Sequence, residues 1–329
     1  MIDFADFESK KVLITGGLGF IGSNLAARLV QLGADVTTID TLVPEHGGNR
    51  YNVESIKDNI TVNISDVRDP NSMRSIIADQ DYLFNLAGQT SHMDSMEDPY
   101  TDLEINCAAQ LSILEACKQH NSKIKIVFAS TRQIYGKPAY LPVDEKHLVQ
   151  PVDVNGINKA AGEWYHILYN NVHGIRSCAL RLTNTYGPRM RVKDARQTFV
   201  GIWIKLLLQN QPIEVWGGEQ LRDFNYVEDV VDAMLGCASS DQSWGNIYNL
   251  GDSHTINLKD LAELLIAVNG SGEYVIHEFP EERKKIDIGD YYSDWQKLHK
   301  AIGWEPRVSL EQGFRDTFDY YRKHLDAYL

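Results

Sequence analysis

The stretch TGGLGFIG, Thr15 to Gly22, decides how this chain reads. It follows KKVLI (Lys10 to Ile14), an apolar run of strand character, and precedes SNLAARLVQLG (Ser23 to Gly33), which reads as a helix. A glycine-rich turn between strand and helix is built to hold a phosphate. Gly16 permits a sharp turn, Gly19 lets backbone approach a pyrophosphate, and Gly22 lets the helix pack close to the strand. Phe20 and Ile21 lie in the same turn. Backbone N–H groups and the positive helix end then face the anion. A glycine pattern alone is weak evidence, and a turn with no ligand is the plain alternative. Here the context matches, because Asp40 closes a second apolar run, DVTTID. A carboxylate at that point hydrogen-bonds ribose hydroxyls and repels a 2′-phosphate, which favours NAD over NADP.

Working outward, strand-like runs alternate with helical ones: DVTTID, NITVNI, YLFNLA, KIVFAS and SCALRL, with helices between. That rhythm predicts an α/β fold, a Rossmann-type doubly wound parallel sheet with a smaller C-terminal α/β substrate-binding lobe. We expect residues 1–186 to form the NAD-binding domain and 187–329 the substrate lobe. Part of 224–252 is expected to return to the first domain. In the second lobe, helices are expected near Thr198–Gln209, Val227–Ala238, Leu258–Val268 and Leu310–His324. A cleft between the lobes, at the carboxyl ends of the strands, is where ligands sit in such folds.

Composition narrows the function. Hydrophobic content of 43% is ordinary for a globular chain. A formal net charge of −13 argues against a nucleic-acid or anionic-membrane partner. An anionic ligand must then be held by a local basic cluster. Cys107, Cys117, Cys178 and Cys237 are scattered singly, so neither a zinc site nor a disulfide framework is expected. The N-terminus lacks the pattern of a signal peptide, and no apolar run is long enough for a bilayer span. A cytoplasmic location follows as the expectation.

The helix Leu103–His120 is apolar almost all round, and the helix over 158–173 carries Trp164, Tyr165, Ile167 and Leu168. Such helices need a second cover, either the second lobe or a partner copy, and a homodimer through these two helices is our expectation.

Taken together, the motifs resemble those of the extended short-chain dehydrogenase/reductases, specifically the nucleotide-sugar epimerases and dehydratases. TGGLGFIG resembles TGxxGxxG. Asp66–Val67 resembles the pair that contacts adenine. NLAGQTSH, with Leu86, Ala87, Gly88 and His92, resembles the loop covering the cofactor, and Asn106 a buried asparagine near it. FASTRQIYG, RLTNTYGPR and RDFNYVEDV resemble three further family motifs in the right order. The likeness is nearest to UDP-glucose 4-epimerases, with some likeness to CDP-tyvelose 2-epimerase. The resemblance implies a bound NAD and a nucleotide-diphosphate sugar. It also implies hydride transfer at a sugar carbon with simultaneous loss of the hydroxyl proton. In the family a tyrosinate takes that proton, a lysine four residues later lowers its pKa, and a Ser/Thr hydroxyl positions the sugar.

Thr131 and Lys159 match that pattern, but the tyrosine position holds Asn155, in DVNGINK. An amide orients a hydroxyl and accepts no proton near neutral pH. Losing a positioned acid/base costs ~10² to 10⁴ in rate. Either activity is lost, through engineering or drift, or the base has moved, with His92 the leading candidate and a structural histidine its alternative. Tyr135 reads as packing with its hydroxyl tied to backbone. Asp153 reads as a solvated loop carboxylate. Lys159 is expected to bond the nicotinamide ribose.

The dehydratases carry Asp-Glu where Arg132 and Gln133 stand here, and the decarboxylating members carry Glu at Gln133. The resemblance therefore disfavours dehydration and decarboxylation and leaves epimerisation or simple oxidation. For the substrate, Asn184, Arg222 and Arg283 are the expected phosphate or sugar contacts. Arg189 and Arg191 are expected to flank the cleft, and Val215 and Trp216 to meet the nucleotide base. Arg132 either reads the sugar or forms a salt bridge. No metal site is expected.

Overall fold

The computed structural model describes residues 7–43, 46–279 and 288–329. The chain begins β1 (Lys11–Thr15), α1 (Phe20–Gln31), β2 (Asp35–Asp40), β3 (Ile60–Ile64), α2 (Pro70–Ile77) and β4 (Tyr82–Asn85). Next come α3 (His92–Glu97), α4 (Pro99–Leu103), α5 (Ala109–His120), β5 (Lys125–Thr131), α6 (Val154–His173) and β6 (Ser177–Leu182). The second half adds β7 (Asn184–Tyr186), α7 (Phe199–Leu208), β8 (Ile213–Trp216), β9 (Leu221–Arg222), β10 (Phe224–Tyr226) and α8 (Val227–Ser239). It ends with β11 (Ile247–Asn249), β12 (Ile256–Asn257), α9 (Leu258–Asn269), β13 (Tyr274–His277), α10 (Gln296–Ile302) and α11 (Leu310–His324).

The main sheet has seven strands in the order β3-β2-β1-β4-β5-β6-β11. All its pairings are parallel. Side chains alternate across it, as strand geometry requires. Val12 and Ile14 pack with Leu25, Leu29, Val230 and Met234 on the face of α1 and α8. Leu13 points the other way, into a cluster with Leu83, Ile113, Leu114 and Cys117. Because both faces are covered, the central strands β1, β4, β5 and β6 are buried along nearly their whole length. The order reverses between β1 and β4, and the crevice beyond their carboxyl ends is the topological switch point.

A second core gathers residues from the C-terminal half. Trp203, Ile204 and Leu207 of α7 meet Leu261 and Leu265 of α9 and Phe314, Phe318 and Tyr321 of α11. The α11 span coincides with the range expected from its apolar spacing. β11 lies late in the chain yet pairs with β6 in the main sheet.

One helix departs from its sequence pattern. The expected helix from Leu103 is interrupted by a π-helical stretch, Glu104–Ala108, before α5. Such bulges cluster at functional sites because one extra residue re-aims a side chain. Here Asn106 lies in the stretch, fully buried, and donates to Gln89 O at 2.9 Å and Asp102 Oδ2 at 3.0 Å. The apolar residues Ile113, Leu114 and Cys117 of α5 are covered within the chain. On α6, Ile157, Trp164, Leu168 and Val172 are more than a third exposed, and their spacing puts them along one side of the helix. Among the described residues no helix is long and apolar enough to cross a membrane.

Candidate active site at the sheet switch point

A cavity of about 290 Å³ opens at the switch point and runs from the glycine turn to the start of α6. At one end the wall is main chain. Gly16 has φ +68°, and a Cβ there would sit 3.0 Å from Ala87 N. A Cβ on Gly22 would come to 2.3 Å from Gly16 O, a separation no side chain tolerates. α1 starts at Gly19 with no side-chain cap, which leaves its first-turn amides to an anion. Asp40 closes this end. Its carboxylate accepts from Leu18 N at 3.1 Å and Leu42 N at 2.9 Å, and burial pushes its pKa above the ordinary value. Asp66 and Val67 line the same end, and Asp66 is gripped by the Arg68 guanidinium, with Nη2 to Oδ2 at 2.7 Å. Phe20, Ile21, Leu86, Ala87 and Gly88 complete the lining, while Asn106 lies beneath Gly88. The uncapped helix start, the glycine cradle and the Asp40 carboxylate in the lining fit a dinucleotide.

Side chains build the other end. Lys159 is buried on α6 and donates to Ala129 O at 3.2 Å. Burial lowers its pKa to about 8, with the Asp102 charge opposing. Asn155 is buried one turn earlier. Its Nδ2 donates to Gln89 O at 2.8 Å and Asp102 Oδ2 at 3.0 Å. Both partners are acceptors only, so the amide orientation is fixed and Oδ1 is the atom left to receive a hydrogen bond. Thr131 ends β5 and caps the short 3-10 turn Arg132–Tyr135, accepting from Gln133 N. Arg132 reaches Asn184 Oδ1 at 3.0 Å and lies 5.0 Å over the Tyr291 ring. His92, Thr131, Arg132, Asn155, Lys159 and Asn184 all line this end.

The family model for GDP-mannose 4,6 dehydratase matches residues 13–317. The chain belongs to the extended short-chain dehydrogenase/reductases that act on nucleotide sugars. It is 33% identical to a Methanocaldococcus jannaschii protein assigned as a UDP-glucose 4-epimerase, over 95% of this chain and 99% of that one. Two solved UDP-glucose 4-epimerases are each 30% identical. That of Thermotoga maritima, with UDP-glucose, has a TM-score of 0.88 and covers 96% of this chain and 99% of its own. That of Thermus thermophilus, in complex with NAD, has a TM-score of 0.84 with 95% and 99% covered. The chain is also 31% identical to a UDP-glucuronic acid decarboxylase of Xenopus tropicalis, over 97% of this chain and 74% of that one.

The structure corrects the expectations for Asp153 and Tyr135, and it places several expected substrate contacts outside the cavity lining. Asp153 is no solvated loop carboxylate. It is buried, caps α6 through Gly156 N at 2.7 Å, and accepts from Gln133 Nε2 at 2.9 Å. Burial pushes its pKa up, but His92, the Gly156 amide and Gln133 outweigh that and hold it below the ordinary value. Tyr135 is buried as expected, but its hydroxyl meets side chains, Asn249 Oδ1 at 2.7 Å and Arg181, rather than backbone. Arg189 is tied to Asn52 O and Asn24 Oδ1, and Arg191 to Asp194, so neither lines the cavity. Val215 is fully buried in the second core, and Trp216 packs on His277 with centroids 4.8 Å apart. Neither lines the cavity, nor does Arg222, whose guanidinium is held at Leu221 O and Gly289 O. Arg283 lies outside the described residues.

Sequence reasoning missed Asp102. This fully buried carboxylate collects amide hydrogens from Asn106, Asn155 and Asn158 and so joins α4 to α6. Nothing local marks it, because an aspartate early in a helix is ordinary. Gln89, Gln197 and Thr198 also line the cavity without having been singled out. No group of side chains able to hold a metal ion occurs among the described residues.

Proposed function

We propose that the protein is an NAD-dependent nucleotide-sugar epimerase that inverts a ring carbon, C4 being the expected position. One observation carries the reading: the glycine cradle and the Lys159–Asn155–Thr131 cluster line one continuous cavity at the switch point. NAD, when bound, supplies reversible hydride acceptance at the sugar carbon. Gly16, Gly19 and Gly22 would hold its pyrophosphate, Asp40 the adenosine ribose and Lys159 the nicotinamide ribose. Thr131 and Asn155 Oδ1 hold the sugar hydroxyl in line without taking its proton. Arg132 and Asn184 meet the sugar or its diphosphate.

Among the described residues, the absence of a carboxyl group from the lining of the sugar end favours epimerisation over elimination of water. Among the described lining residues the carboxylates are Asp40 and Asp66, both at the dinucleotide end. Gln133, which also lines the cavity, is an amide already bonded to Asp153. The exposed apolar side of α6 suits a second copy of this chain, and light scattering giving twice 37.3 kDa checks that.

The test of function mixes the purified protein with UDP-, GDP-, CDP- and dTDP-sugars. Proton NMR follows the sugar while absorbance follows NADH. We expect one panel member to equilibrate with its epimer. Binding across the panel with no change in any sugar would make this a binding protein instead.

A further inference from the structure

A carbon that gives up a hydride leaves its hydroxyl with a proton that must go to a base. No tyrosine lines the cavity among the described residues, and Asn155 has both amide hydrogens committed. Three ionisable groups line the sugar end: Arg132, Lys159 and His92. Arg132 holds its proton at any physiological pH. Lys159 is buried against Ala129 O beneath the loop of Gly88, and in the reading above it holds the nicotinamide ribose.

His92 has different geometry. It sits at the start of α3, and its Nδ1 is buried, 3.0 Å from Asp153 Oδ2. The side chain is nonetheless 39% exposed and lines the cavity, so the open edge of the ring is the Nε2 edge. Asp153 is more than a helix cap. Capping uses Oδ1 on Gly156 N, while Oδ2 takes Gln133 Nε2 and faces His92. The 3.0 Å approach to Nδ1 is an ion-pair contact rather than an aligned hydrogen bond, and a carboxylate there favours the proton on Nδ1 and leaves Nε2 bare, the form that accepts a proton.

We propose that His92 Nε2 takes the sugar hydroxyl proton in place of a tyrosinate, and that Asp153 is its positioning residue. This rests on the hydride-transfer reading above. As the sugar C–H bond breaks, its hydride reduces NAD⁺, the hydroxyl proton moves to Nε2, and the C–O bond becomes a carbonyl. The imidazolium so formed lies against the Asp153 carboxylate. Hydride return to the opposite face of the carbonyl, with the proton given back from Nε2, restores neutral imidazole and NAD⁺. Other charged groups on neighbouring elements are Asp94 on the same helix, Arg196 paired with Asp94 at 3.3 Å, and Arg132 and Lys159 across the cavity.

The experiment measures kcat and KM against pH for the sugar that reacts, and records histidine ¹⁵N spectra of the same proteins. His92→Gln should lower kcat by ~10² to 10⁴, with little change in KM, and abolish the acidic limb of the pH profile. Asp153→Asn keeps the helix cap, because asparagine caps as well as aspartate. It should still lower kcat by ~10-fold or more and abolish the preference for the proton on Nδ1 in the nitrogen spectrum, which a loss of helix capping alone would leave unchanged. Asn155→Tyr should lower turnover, as the ring displaces the contacts to Gln89 and Asp102. The spectrum should show His92 protonated at Nδ1 in the wild type. The dyad falls if His92→Gln turns over at the wild-type rate, if Asn155→Tyr is faster than wild type, or if the proton is found on Nε2. If no sugar reacts, the epimerase reading fails, and the nitrogen spectrum alone still decides whether Asp153 sets the His92 tautomer.

Discussion

At the dinucleotide end of the cavity, Gly16, Gly19 and Gly22 come from one unbroken turn, and what they offer is main chain. At the sugar end, His92, Arg132, Asn155 and Asn184 arrive from separate segments of the chain. Each side chain there is held by a partner far away in sequence, as Asn184 is by Arg132 and His92 by Asp153. Backbone amides bind any pyrophosphate in much the same way, so the first end leaves little room for change. Side chains are replaceable one at a time, so the second end is where chemistry and substrate choice vary over a constant fold. Asn155 belongs to that variable end.

The largest effect that would break this contrast is the one argued for His92, since it removes the proton acceptor and leaves the dinucleotide end untouched. NAD affinity of His92→Gln should therefore equal that of the wild type. Next comes Gly22→Ala. Its Cβ would meet Gly16 O at 2.3 Å and Gly17 Cα at 2.9 Å, both backbone atoms that yield only if the turn opens. Overpacking of this kind costs about 1 to 3 kcal/mol, so NAD affinity should fall by up to ~10², read by calorimetric titration. An unchanged affinity would mean that the turn does not grip the dinucleotide. The two variants together separate the ends, one losing rate and the other losing cofactor.

The same contrast explains what was legible in the sequence. The glycine turn, the strands and the amphipathic helices such as α11 are local patterns, and each was readable from its own residues. The parallel sheet followed from their alternation. Asp153 was misread because its burial is decided by α3 and by Gln133 from another strand end, neither of which its neighbours in sequence announce. Val215 was misjudged for a similar reason, since strand alternation turns it into the second core. The π-helical stretch around Asn106 has no sequence signal that propensity reads, because it is stabilised by where its amide lands. Asp102 escaped notice because its amide partners sit on the π-helical stretch and on α6.

Beneath both ends runs a buried polar chain. Thr15 Oγ1 bonds Asn85 Oδ1 at 2.8 Å and receives the amides of Leu86 and Ala87, the loop that walls the dinucleotide end. Asn85 Nδ2 in turn lies 3.3 Å from His166 Nε2, and His166 Nδ1 is 2.7 Å from Gly162 O. This pattern requires a proton on Nδ1 and a bare Nε2. Burial lowers the His166 pKa to about 4, with Lys159 adding to the shift and the Gly162 bond opposing it. The folded state thus resists a proton that the unfolded chain takes up near the ordinary value of 6.5. Stability from this site is complete above that value and is lost as pH falls towards about 4. Asp229, raised to about 6 mainly by burial, acts in the opposite sense, so absolute curves mix the two. Subtracting the curve of His166→Gln from that of the wild type removes the Asp229 contribution. Between pH 7 and pH 5 the wild type should lose about 2 kcal/mol more than the variant in denaturant unfolding. Parallel curves would show that His166 accepts its proton without cost, and that the chain from α6 to the Leu86–Ala87 loop is not the tight support described.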